Sequence, residues 1–142
     1  MIYKLPKIQH LIHANQSFAL ELFRQLQPGA GNLFFSPHSL SVALAMTYAG
    51  ARRRTAGQMA AALGFDLPPE QLFPAFAALN AHLASLQQEG LRLSEANSIW
   101  PHQGYPFRAD FIENLEQNFG VTLTPVDYVT QAEAARLQIN AW

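Results

Sequence analysis

The feature that most constrains this chain is a run of helical sequence with no polar face. From Leu40 to Ala49 every position is apolar except Ser41 and Thr47. Such a helix has no side to give to water and has to be wrapped by other elements. Its start is marked by Ser36, suited to an N-cap, and by Pro37, suited to the first helical position. Gly50 is expected to end it by taking a left-handed conformation just past the last turn. Before it, Leu33-Phe34-Phe35 reads as a short buried strand. After it, Thr55-x-x-Gln58 fits a capping box opening a second helix, which Gly64 closes with Phe65 packing back.

The same stretch resembles the N-terminal signature of the serpins, a family of protease inhibitors. Asn32, Phe34-Phe35-Ser36-Pro37-x-Ser39, Leu44, Gly50, Thr55 and Leu63 carry the resemblance. It implies that the strand belongs to the second sheet and that the helix is the central one. It also implies that Ser36 and Ser39 are buried hydroxyls beneath the main sheet, where that sheet opens. Plain helix capping accounts for Ser36 without any function and stands as the alternative for Ser39.

Helical spacing begins near Ile8 and is clearest in Phe18, Ala19, Leu22, Phe23 and Leu26, until Pro28-Gly29 and Gly31 stop it. Asn15-x-x-Phe18 matches the opening of the family's first helix. Leu72, Phe76, Leu79, Leu83 and Leu86 mark an amphipathic helix, with Pro74 disturbing its first turn. Leu91 to Trp100 reads as a strand that places Leu91, Leu93, Asn97 and Ile99 on one face. Leu93-x-x-Ala96-Asn97-x-Ile99-Trp100 resembles the second strand of the serpin main sheet. Pro101 to Pro106 is a turn. A helix carrying Phe107, Phe111, Leu115 and Phe119 follows, capped by Gly120. Val121 to Tyr128 is a second strand, which Pro125 demotes to a sheet edge. Strand, helix, strand implies a right-handed crossover and two parallel strands. Thr130-x-x-Glu133 fits another capping box, opening a final helix through Leu137, Ile139-Asn140 and Trp142. Pro125-Val-Asp-Tyr128 and Ile139-Asn140-x-Trp142 again look like serpin positions.

The expected fold class is α+β, predominantly helical, with a few strands of two incomplete sheets. Residues 1–142 read as the N-terminal portion of a single serpin domain, bacterial-like in type, ending within a helix and before the reactive loop. The resemblance implies a complete protein that inhibits serine endopeptidases, or a cysteine protease, by offering that loop as bait and inserting it as a strand. Within it, Ser36, Ser39, Asn97, Asn140 and Trp142 would serve the opening sheet, and none would touch the protease. A non-inhibitory serpin and an inactive remnant are the alternatives.

Composition narrows the field further. Apolar residues make up 49% of the 142 positions and charged ones only 13%, which suits a surface that other parts will cover. The net charge of −1 gives no general pull towards nucleic acid or an anionic membrane. There is no cysteine, hence no disulfide or thiolate chemistry, and no run approaches the apolar length of a membrane span. Residues 1–14 lack the apolar core of a secretory signal, so the extracellular space implied by the resemblance has the cytoplasm as its alternative. No Lys or Arg lies between Pro68 and Gly90, which argues against a heparin site on that helix. Arg52-Arg53-Arg54 reads as a solvated turn whose charges offset the carbonyl end of the helix before it. His10 and His13, one turn apart, read as a solvated face, since a metal would need a third ligand. No cofactor is implied. Ser36 and His38 lack the Gly-x-Ser-x-Gly elbow of a hydrolase, and His82 and His102 have no acid close by in sequence, so an enzyme is not expected.

Overall fold

The computed structural model describes residues 6–27, 31–86, 88, 93 and 95–142. Their helices are α1 (Pro6–Leu26), α2 (Pro37–Gly50), α3 (Arg53–Leu63), α4 (Pro69–Ser85), α5 (Ala109–Phe119) and α6 (Ala132–Ala141). The chain divides into two compact units, Met1–Glu95 and Ala96–Trp142.

In the first unit α1 packs on α2, α3 and α4, and α2 also meets α3 and α4. The core is built from Ile8, Leu11 and Ala14 of α1, Val42, Ala45 and Met46 of α2, Leu63, Phe65, and Leu72, Phe73 and Phe76 of α4. Aromatic rings knit it together. Tyr48 lies 5.6 Å from Phe65 and 5.9 Å from Phe73, and Phe65 meets Phe76 edge-on at 5.8 Å. Edge-to-face contacts of this kind add to the burial of the rings themselves.

The expected helices form, with corrections at their ends. The apolar stripe at the far end of α1 is only partly covered: Phe23 and Leu26 are exposed, while Ile8, Leu11 and Ala14 take the buried positions. Pro74 sits in the second turn of α4, and the helix runs on through it because the residue faces outward. There the carbonyl deprived of its usual partner can turn to water. Gly50 is helical, and Ala51, in an extended conformation, ends α2. A left-handed glycine is unnecessary because Arg52 donates to the Ala49 and Ala51 carbonyls at 2.8 and 2.9 Å. That contact is the expected offset of the carbonyl end. The connection is so short that α3 starts at Arg53, itself left-handed at φ 53°, and Thr55 already lies inside the helix. The Thr55 capping box therefore does not form. Gly64 does close α3, at φ 69°. Phe65 N–H reaches the Ala60 carbonyl at 2.9 Å and Gly64 N–H the Ala61 carbonyl at 3.4 Å, the paired bonds of a Schellman end.

The strand expected at Leu33–Phe35 is absent, and Phe34 is 99% exposed. An extended segment becomes a strand only when a neighbour takes its backbone groups, and none of the described residues does so here.

In the second unit the two expected strands are reduced to isolated bridges, and residues 91, 92 and 94 of the first lie outside the described residues. Ile99 bridges Leu123 and His102 bridges Val126, both in parallel, which bears out the expected direction. Thr124 N–H donates to the Ile99 carbonyl at 3.0 Å, Val126 N–H to Pro101 at 2.9 Å and Gln103 N–H to Val126 at 2.9 Å. α5 spans the interval between them, with Leu115 and Phe119 buried along with Val121, Val126 and Ala135. Phe107 precedes the helix and stacks on Phe111 at 5.8 Å. Gly120 ends α5 at φ 64°, as expected. The Thr130 box is a further correction, because α6 has no side-chain cap. Thr130 is held instead by Asp127, whose carboxylate accepts its hydroxyl and backbone N–H and the N–H of Val129. These bonds, the Thr130 hydroxyl first among them, hold the Asp127 carboxyl below its ordinary pKa.

Candidate functional site

The centre of interest is the amino end of α2. Ser36 caps the helix: its Oγ accepts the Ser39 N–H at 3.2 Å, and the two hydroxyls lie 2.9 Å apart. Both residues are exposed in this chain. Capping thus accounts for Ser36 and ties Ser39 to it. The exposed hydroxyls continue into Leu40, Ala43, Leu44 and Thr47, at the spacing of one helix face. The opposite face, with Ser41, Val42, Ala45, Met46, Tyr48 and Ala49, is buried. The all-round apolar helix is accordingly covered on one side and open on the other.

The remaining expected residues belong to the second unit. Asn97 is half-buried, just before the Ile99 bridge, and Asn140 is exposed near the end of α6. Trp142 is 62% exposed and meets Trp100 edge-on, with ring centres 6.4 Å apart. Trp100 is in turn fixed by its carbonyl, which accepts the Tyr128 hydroxyl at 2.8 Å. The structure therefore pairs Ser36 with Ser39 and brings Trp142 to the bridged segment. No group of three or more metal-ligating side chains occurs among the described residues. His10 is exposed, 2.6 Å from Asp66, and His13 is exposed. No described helix is long and apolar enough to cross a membrane.

The family model described as Serpin (serine protease inhibitor) matches residues 13–142. The chain belongs to the serpin family. It is 37% identical over 137 residues to leukocyte elastase inhibitor A of Mus musculus, covering 95% of this chain and 36% of that protein. Against leukocyte elastase inhibitor of Homo sapiens it is 34% identical over the same length, with the same coverage. Among solved structures, reaction loop cleaved lamprey angiotensinogen aligns with a TM-score of 0.82 at 28% identity, covering 95% of this chain and 39% of that one. Emu ovalbumin (Dromaius novaehollandiae) aligns with a TM-score of 0.85 at 22% identity over 94% of this chain and 38% of that one, a likeness of fold alone. The chain thus spans a little over a third of the relatives it matches.

Two contacts around the serpin helix α2 escaped sequence reasoning. Ser41, fully buried, donates its hydroxyl to the Asn15 side-chain oxygen at 2.6 Å, tying α2 to α1. The polar Ser41 inside an apolar run was the signal, since a buried hydroxyl has to find a partner. His38 Nε2 lies 2.8 Å from Glu95 Oε1. Fifty-odd positions separate those two, and nothing local in the sequence joins them.

Proposed function

We propose that the complete serpin inhibits serine proteases by presenting a reactive loop as bait. The protease serine attacks the scissile carbonyl, the peptide bond breaks, and the new amino terminus departs while the ester holds the two proteins together. Insertion of the cleaved loop as an added strand then carries the protease away before water can hydrolyse the ester. Residues 1–142 supply core helices and part of the sheet that opens. In this reading Ser36 and Ser39 lie beneath that sheet, Asn97 belongs to its second strand, and Asn140 and Trp142 to a helix over it.

The observation that carries the proposal is the 34–37% identity, over nearly the whole chain, to proteins named as elastase inhibitors. The open face of α2 supports it, because a row of hydroxyls beside the exposed apolar Leu40, Ala43 and Leu44 suits a surface that another element covers. The test is incubation of the complete protein with elastase-like, trypsin-like and chymotrypsin-like serine proteases and a papain-like cysteine protease, followed by denaturing electrophoresis. A covalent complex with a serine protease is expected. Cleavage of the loop without any complex would overturn the reading in favour of a non-inhibitory serpin.

A further inference from the structure

His38 is the second residue of α2 and stands between Ser36 and Ser39 in sequence, while Glu95 is the last residue of the first unit, from which the chain runs on to Asn97. Their side chains, 27% and 26% exposed, meet at 2.8 Å. Nε2 of His38 is shut off from solvent, and Glu95 Oε1 is the polar atom that faces it. α2 contains no Asp, Glu, Lys or Arg, and residues 95–98 form neither helix nor strand. No backbone ladder therefore holds Glu95 in place. A partly buried polar contact adds little net stability when intact, but removing Glu95 leaves the enclosed His38 Nε2 without its polar neighbour. Its effect is to fix geometry.

We propose that His38 and Glu95 are positioning residues that pin the chain entering the Asn97 segment to the amino end of α2. The tie sets how readily the main sheet parts beside Ser36 and Ser39. This rests on the reading of the complete protein as a strand-inserting serpin, and it adds two residues that neither the family resemblance nor helix capping assigns.

The test uses the complete protein and a synthetic peptide with the sequence of its own reactive loop, with no protease present. Peptide uptake as an added strand is timed by native electrophoresis for wild type, H38L, E95L and H38L/E95L. Each single variant is expected to take up peptide about tenfold faster, and the double variant no faster than either single one, because the two residues act as one contact. Rates within about twofold of wild type, even where the melting temperature falls, would overturn the tie and leave a merely structural contact. So would a double variant whose acceleration is the product of the two singles. E95Q keeps shape while losing charge and serves if a leucine variant fails to fold; it should accelerate uptake about threefold, and an unchanged rate overturns the proposal. Wild-type protein that takes up peptide but forms no covalent complex overturns the inhibitory reading and leaves the tie standing.

Discussion

The two units reach different degrees of completion with the same kinds of residue. The first closes a core of its own, in which Phe65 and Phe73 meet Tyr48, Phe76 meets Phe65, and α1 lies across three helices. The second buries Leu115, Phe119, Val121, Val126 and Ala135 around its bridges; both units leave large apolar residues exposed, Phe23, Phe34, Leu40 and Leu44 in the first and Tyr105, Tyr128, Val129, Leu137 and Trp142 in the second. The difference lies in the range of the interactions each needs. Helices satisfy their own backbones and then need only apolar faces to meet, whereas a sheet segment is unfinished until a neighbour takes its N–H and C=O groups. The first unit is helical and local; the second is organised around a two-bridge ladder.

The largest expected effect tests whether the first core is truly closed. Phe76→Ala in the complete protein should cost about 3–5 kcal/mol, read by urea unfolding, whereas Leu115→Ala should cost nearer about 2–3, because a smaller core collapses more readily around the gap. Equal costs would erase the distinction between the units.

Next comes the open face of α2. Leu44 is 38% exposed in this chain. In the complete protein Leu44→Ala should still cost at least about 2 kcal/mol, because the element that covers the face would lose its contact. A cost below about 1 kcal/mol would mean that the face stays open there too.

Smaller, and shared by both units, is the effect of the left-handed glycines that end α3 and α5. Gly64→Ala and Gly120→Ala should each cost about 1–2 kcal/mol for the backbone conformation alone. The two costs should be alike, since an added Cβ at Gly64 would make ordinary contact 3.5 Å from the Ala14 backbone, and at Gly120 it would meet nothing within 4 Å. A loss well above about 2 kcal/mol at either glycine would mean that crowding adds to the backbone cost.

The smallest effect separates the two failed capping boxes. Thr55→Ala should change stability by less than about 0.5 kcal/mol, because the residue lies inside α3 and caps nothing. Thr130→Ala should instead raise the Asp127 pKa towards its ordinary value, followed by NMR titration, since the Thr130 hydroxyl is the main cause of its depression. A depressed carboxyl favours the folded turn above the unfolded pKa and loses that contribution as pH falls through the folded value. The stability difference between wild type and variant should therefore be present above about pH 4 and fade as pH falls below it.

What could be read in the sequence follows the same division. The bodies of α1, α2, α4 and α5 were legible because apolar spacing is local, and Gly64 and Gly120 were legible because a left-handed end leaves few residue choices. The family was legible because Phe34 to Ser39 is a dense run of specific residues. Thr55 and Thr130 misled, since a capping motif shows that a helix could start there, while Arg52 and Asp127 decided where it did. The Leu33–Phe35 strand and the longer ladder failed for want of a partner. The His38–Glu95 pair was invisible because distance along the chain carries no trace of distance in space.

One residue in the short ladder has a directional effect. Thr124 and Val126 both turn their N–H groups towards Ile99 and Pro101, so Pro125 between them faces the other way. On that outer side the central donor is missing, and a ring stands where it would be. The ladder is thus barred on one flank and can lengthen only beyond the 99–103 side, whatever strand arrives. Growth in this unit has a built-in heading, set by a single imino acid.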